Sequence, residues 1–248
     1  MGKTMKLILP ILGLLIAVPL VSTAATLTLT SQELYFHIGA NPSILYDGAS
    51  PEYFSSLGPD NFGAYGWQVT NQTASTWTQF SIFFFLDAEW DIIENLVSNE
   101  YAEFLGLGLA PGAPPGAFAP SAWEIDEPGY VFGDIYDNVS FFGILDGMNA
   151  VPSSSPDDVS LALGWSVLAL APGESISITI QHLSASTLGI GHFDPDSMGA
   201  VYVNGWMEII AAPPGPGGPE IPEPSTNALG GLGLAAIGFG IWNRNQRN

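Results

Sequence analysis

The sequence predicts an all-β fold, an antiparallel β-sandwich of the Ig-like or jelly-roll-like kind, and three observations carry that expectation. The stretch SISITIQH (175–182) alternates strictly, with Ile176, Ile178, Ile180 and His182 facing one way and Ser175, Ser177, Thr179 and Gln181 the other. That is the period of a strand with one buried face. TWTQFSIFFFL (76–86) puts Phe80, Ile82, Phe84 and Leu86 on one face and Phe83 and Phe85 on the other, so this strand is expected to be central and covered on both sides. Finally, 29 Gly and 20 Pro favour frequent turns over long helices.

The other elements follow in chain order. TLTLT (26–30) and ELYFHI (33–38) are short strand candidates, and YGWQVTNQT (65–73) precedes the Phe-rich strand across a polar turn. WDIIENLVSNEYAEFL (90–105) is the one segment that could be helical, with an imperfect 3.6 period. APGAPPGAFAP (110–120) reads as a loop or a weak domain boundary, and YVFG (130–133) and VSFFGIL (139–145) as further short strands. LALGWSVLAL (161–170) is expected to pair with 175–182 as a hairpin, because Pro172-Gly173 is type II turn chemistry. Asn204-Gly205, between two β-rich runs, signals another hairpin. About nine strands with turn signals every dozen residues or so suit a sandwich.

The charge layout is one-sided. Of the net charge of −20, the four basic residues are Lys3, Lys6, Arg244 and Arg247, and all 24 acids lie between Glu33 and Glu223. The stretch between the termini therefore has no Lys or Arg salt bridge to make. It repels nucleic acid, whose binding needs basic residues to displace counterions, and attracts divalent cations. With no cysteine, disulfides, thiolate catalysis and Cys-ligated metals are excluded.

Both ends carry targeting patterns. Lys3 and Lys6, an apolar run and small residues before Ala24 and Ala25 read as a signal peptide over 1–25. Pro10 and Pro19 interrupt the alternative, a retained membrane helix. The expected body is 26–211, followed by a Pro/Gly linker over 212–221. The uncharged run 228–242 contains five glycines. As a helix it spans roughly 22 Å, short of a hydrocarbon core of about 30 Å, and suits temporary tethering. Arg244 and Arg247 behind it, like Lys3 and Lys6, place the body outside by the positive-inside rule.

Pro222, Glu223, Pro224, Ser225 and Thr226, then a short apolar helix, then a basic end, resemble the PEP-CTERM sorting signal, the tripartite tail of bacterial exosortase substrates. The resemblance covers 222–248 only. It implies export by the general secretory translocon, cleavage by signal peptidase and a transient hold in the inner membrane. An exosortase then removes the helix and releases the protein to the cell surface or extracellular matrix of a Gram-negative, exopolysaccharide-making bacterium. On that resemblance Glu223 is a recognition residue for another enzyme.

The body lacks the usual catalytic patterns. There is no Gly-x-Ser-x-Gly, no phosphate-cradling loop with its Lys, and only three His, of which His37 and His182 fall at strand positions and read as structural. A non-enzymatic protein without a resident cofactor is expected, with a metal the exception to consider: calcium for oxygen ligands, zinc or manganese where a His joins carboxylates. His192, Asp194 and Asp196 in GHFDPDSMG share a face if extended, giving a metal triad. The alternative is a turn bent at Pro195 whose Asp residues cap backbone N–H groups. Asp87, Glu89 and Asp91 also alternate, without the loop glycine of an EF-hand. Six body Trp (67, 77, 90, 123, 165 and 206) suit sugar stacking if exposed and core packing if not. The expected role is structural or adhesive, bridging acidic exopolysaccharide through divalent cations. The alternatives are a carbohydrate-binding module and a secreted hydrolase using paired carboxylates.

Overall fold

A computed structural model of the chain describes residues 25–38, 41–47, 53–58, 61–90, 99–129 and 132–214. The signal peptide with Lys3 and Lys6, the motif residues Pro222 to Thr226, and Arg244 and Arg247 lie outside the described residues, as does Asp91.

The described residues form eleven strands and one short helical segment. The strands are β1 (Leu27–Ile38), β2 (Asn41–Asp47), β3 (Tyr53–Ser55), β4 (Gly63–Thr70), β5 (Trp77–Trp90), β6 (Tyr101–Gly106), β7 (Ala122–Asp126), β8 (Ser160–Leu170), β9 (Ser175–Leu183), β10 (Gly189–Asp194) and β11 (Gly199–Ile210). They make two antiparallel sheets, the first in the order β2-β1-β5-β8-β7 and the second in the order β3-β4-β9-β11-β10-β6. One buried cluster joins the sheets, with Leu34, Phe84, Leu86 and Trp165 from the first and Trp67, Ile178, Ile180 and Val203 from the second. Strand alternation puts these residues on the inner faces of a sandwich-like arrangement.

β5 is central in the first sheet and covered twice, as its sequence predicts. Phe80, Ile82, Phe84 and Leu86 enter the shared core. Phe83 and Phe85 face outward and pack under Ile135 and Val139 with Tyr35 and Ala162. Those two covering residues belong to the helical segment (Ile135–Asp137 continuing into Asn138–Phe142), which corrects the strand expected over 139–145. Their spacing of four puts both on one helical face, and Gly143 closes the segment in the left-handed conformation at φ 63. β6 likewise corrects the helix expected over 90–105, of which 91–98 lies outside the described residues.

Two expected hairpins are not hairpins. The Pro172-Gly173 turn forms, with Gly173 at φ 80 and Glu174 N–H donating to Ala171 O at 3.1 Å. Yet β8 lies in the first sheet and β9 in the second, so the turn is an arch across the sandwich. Strands that are neighbours in one sheet and strands that face each other across two bury the same alternate residues, so alternation cannot tell them apart. Asn204-Gly205 runs straight through the middle of β11, paired in register with Gln181 and Ile180. The glycine serves close approach there: a Cβ on Gly205 would lie 2.5 Å from Thr179 O.

Candidate functional site: two carboxylate groups on one sheet face

The outward face of the first sheet begins apolar and ends acidic. Beyond Phe83 and Phe85, the same side of β5 presents Asp87 and Glu89, because side chains alternate along a strand. In the ladder Phe85 stands opposite Ala162, and Asp87 opposite Ser160. On the other side of β8, Ala162 pairs with Glu124 and Ser160 with Asp126. Asp87, Ser160 and Asp126 thus form one row across three strands, and Phe85, Ala162 and Glu124 the next.

The first carboxylate group combines Asp87 and Glu89 of β5 with Asp158, just ahead of β8. Oxygens of all three lie within 4.8 Å of one another. Glu89 and Asp158 are hydrogen-bonded to each other. Burial, then the charge of Asp158, pushes Asp87 up to about 6, while His192 pulls the other way. Burial, then Asp158, Glu100 and Asp87, pushes Glu89 up to about 8. Burial also raises Asp158. Asp87 is only 6% exposed, and its Oδ1 meets no donor among the described residues. Asp158 Oδ1 and the Oγ of fully buried Ser160 are also without partners among the described residues.

The second group combines Glu124, Asp126 and Asp134, again with oxygens within 4.8 Å, and protein donors close it. Glu124 accepts from Asn138 Nδ2 at 2.8 Å and from Asp146 N–H at 3.0 Å. Asp126 accepts from the backbone N–H groups of Glu127 and Asp134, each at 2.8 Å. Asp134 accepts from Asn138 Nδ2 at 3.2 Å. Burial raises Glu124 to about 7, against the opposing pull of the Asn138 and Asp146 donors.

The proposed triad of His192, Asp194 and Asp196 does not converge. His192 is fully buried and its Nε2 meets Glu100 Oε2 in a short contact. The other Glu100 oxygen accepts from Trp90 N–H at 2.8 Å. Asp194 ends β10 and caps the following turn, accepting from Asp196 N–H at 2.9 Å and Ser197 N–H at 3.1 Å. Asp196 lies beyond the strand and accepts from Asn99 Nδ2 at 2.7 Å. The extended face ends where the Asp-Pro turn of the β10–β11 hairpin begins.

The other two histidines are tied into the fold. His37 Nε2 lies 2.6 Å from Val139 O. His182 Nδ1 faces the Asn61 carbonyl at 3.0 Å and so carries the proton, leaving Nε2 to accept from Tyr65 Oη at 3.1 Å. Burial pushes His182 down to about 4. Of the six body Trp, four are buried, and Trp77 and Trp123 are half-buried. Trp123 stacks on Phe104 with ring centroids 3.9 Å apart. Among the described residues no Trp is exposed.

Sequence reasoning picked out Asp87 and Glu89 but missed Asp158, Glu100 and the whole second group. A signal for Asp158 existed. It lies two residues before Ser160, hence on the same face as β8 begins, once β8 is placed antiparallel to β5. Among the described residues no helix is long and apolar enough to cross a membrane. The chain matches no protein-family model, no curated protein and no solved structure.

Proposed function

We propose that this chain is an exported surface or matrix protein, delivered by its PEP-CTERM-like tail, whose body binds rather than catalyses. In this reading a jelly-roll-like sandwich is exported behind the 1–25 signal peptide. It is tethered briefly by 228–242 and released by an exosortase that reads Pro222-Glu223-Pro224. The observation that carries the binding role is the charge layout: 24 acids and no Lys or Arg between Glu33 and Glu223, on a body built from two antiparallel sheets. Such a surface holds acidic exopolysaccharide only through divalent cations, so the role is cation-dependent adhesion or matrix scaffolding. The cross-sheet arch at 171–174 supports the jelly-roll-like assignment over a simple meander.

The test is the intact mass of the protein recovered from the surface or medium of the cells that make it. A mass lacking both 1–25 and the 228–248 tail is expected. A full-length C-terminus in the membrane fraction would overturn the sorting route.

A secreted hydrolase is the second reading, and one observation favours it. At neutral pH Asp87, at about 6, is mostly ionised while Glu89, at about 8, holds its proton, the combination a carboxylate acid–base pair needs. Release of reducing ends from acidic polysaccharide, abolished in Glu89→Gln, would establish it. The carbohydrate-binding alternative gains nothing from the packed Trp rings, and failure to bind a polysaccharide column in chelator would end it.

A further inference from the structure

We propose that Asp87, Glu89 and Asp158, together with the Ser160 hydroxyl, form a binding site for one hard divalent cation, calcium by donor set and geometry, between β5 and β8. Convergence of three carboxylates is not the argument, since the second group converges equally well. The argument is what lies among them. Ser160 is fully buried, its Oγ has no partner, and the ladder sets it directly across from Asp87 on the same face. Asp87 Oδ1 and Asp158 Oδ1 are likewise buried without a donor. Buried polar oxygens are almost always satisfied. Three unsatisfied ones from neighbouring positions of two paired strands define an oxygen-lined position that calls for a positive partner. The body offers it no Lys or Arg, since its sequence from Glu33 to Glu223 has neither.

The donor set selects the ion. Three carboxylates and a hydroxyl are hard oxygen ligands, with no imidazole or sulfur among them, which suits calcium or magnesium rather than zinc or copper. One oxygen of each carboxylate lies within 4.8 Å of the others. Calcium takes about six to eight oxygens in flexible geometry, whereas magnesium demands a near-ideal octahedron, so carboxylates and a hydroxyl set by strand register suit calcium better. Binding ties the end of β5 to the residue that leads into β8, so the site is a cross-strand clamp. It is independent of how the chain is delivered to the surface. It also gives the cation-dependent adhesion proposed above a defined first ion.

The test uses the full chain, stripped with chelator and held in about 150 mM salt to screen diffuse attraction. Calcium chloride is titrated in by calorimetry, and thermal unfolding is followed in parallel. One site is expected, with a dissociation constant below about 1 mM and a rise of about 5 °C in Tm at saturation. Asp87→Asn and Asp158→Asn should each weaken binding by about tenfold or more. Ser160→Ala, which leaves every charge in place, should weaken it by about threefold. Asp134→Asn, in the closed group, should bind as the unaltered protein does. No heat and no Tm shift in the unaltered protein would overturn the proposal. So would equal affinities for all four variants, which would mean general screening of an acidic chain.

Discussion

The two carboxylate groups lie side by side on one sheet face, divided by Ser160, and they differ in who satisfies them. Around Glu124, Asp126 and Asp134 the segment from 134 to 146 folds back to supply one Asn side chain and two backbone N–H groups, and Glu127 supplies a third N–H. Around Asp87, Glu89 and Asp158 one hydrogen bond joins two of the acids and one backbone N–H, that of Val159, reaches Asp158, and among the described residues oxygens of Asp87, Asp158 and Ser160 are left over. Each group has three acids and at least one buried member, though Asp134 of the second is exposed, so net charge does not explain the difference. What separates them is a donor-bearing loop, present over one group and missing over the other. An acidic cluster becomes a structural latch where the chain supplies N–H groups, and a ligand site where it does not.

The largest expected effect tests the latch. Glu124→Ala would leave the buried Asn138 amide with Asp134 alone and take the side-chain acceptor from the Asp146 N–H, at a cost of about 3 kcal/mol in denaturant unfolding. A loss under about 1 kcal/mol would erase the distinction between the groups. The pH dependence of the latch comes next. The Glu124 carboxyl rises from 4.5 to about 7 on folding, so the folded state binds the extra proton between those values. The contribution of this group is therefore greatest below about pH 4.5 and is lost as pH rises through about 7, on the order of 2 kcal/mol. Glu124→Gln should flatten that part of the stability–pH curve, and an unchanged slope would place the titration elsewhere.

A smaller effect of opposite sign belongs to the open group. In chelator, Asp158→Asn removes a like charge from beside Glu89 and Asp87 while keeping an acceptor oxygen, and should stabilise the protein by about 1 kcal/mol. Truncating an acid of one cluster then weakens the fold, and neutralising an acid of the other strengthens it. Destabilisation in both cases would mean the open group is another latch with its donors overlooked.

Legibility from sequence followed the same divide between local and cross-strand information. The alternation of β5 and β9, the double coverage of Phe83 and Phe85, and the pairing of Asp87 with Glu89 are all periodic within one segment, and the sequence carries them openly. The sheet to which β8 belongs is decided by which strand lies beside it, and the Pro172-Gly173 turn is compatible with both arrangements. Asp158 joins Asp87 through the β5–β8 register, across some seventy residues of chain that no local pattern spans. His192 and Asp194 share a strand face as expected, but an inward histidine needs a partner from another strand, and Glu100 supplies it. The Asn204-Gly205 signal failed because glycine serves close packing as well as turning, and only the neighbouring β9 backbone reveals which use applies.

The smallest prediction separates charge from ligation. Glu127 is raised by burial and then by Asp157, Asp126 and Asp158, so its field reaches residues of both groups although it belongs to neither. Glu127→Gln should change stability by less than about 0.5 kcal/mol. It should weaken calcium binding by less than about twofold, a difference that shrinks as salt rises and the Debye length falls below about 8 Å. Asp87→Asn removes the same single charge from within the cage, and its effect should persist at high salt. If the two substitutions weakened binding equally, at every salt concentration, the open group would be acting as a patch of negative potential and not as a set of ligands. The contrast with the closed group would then reduce to the loop alone.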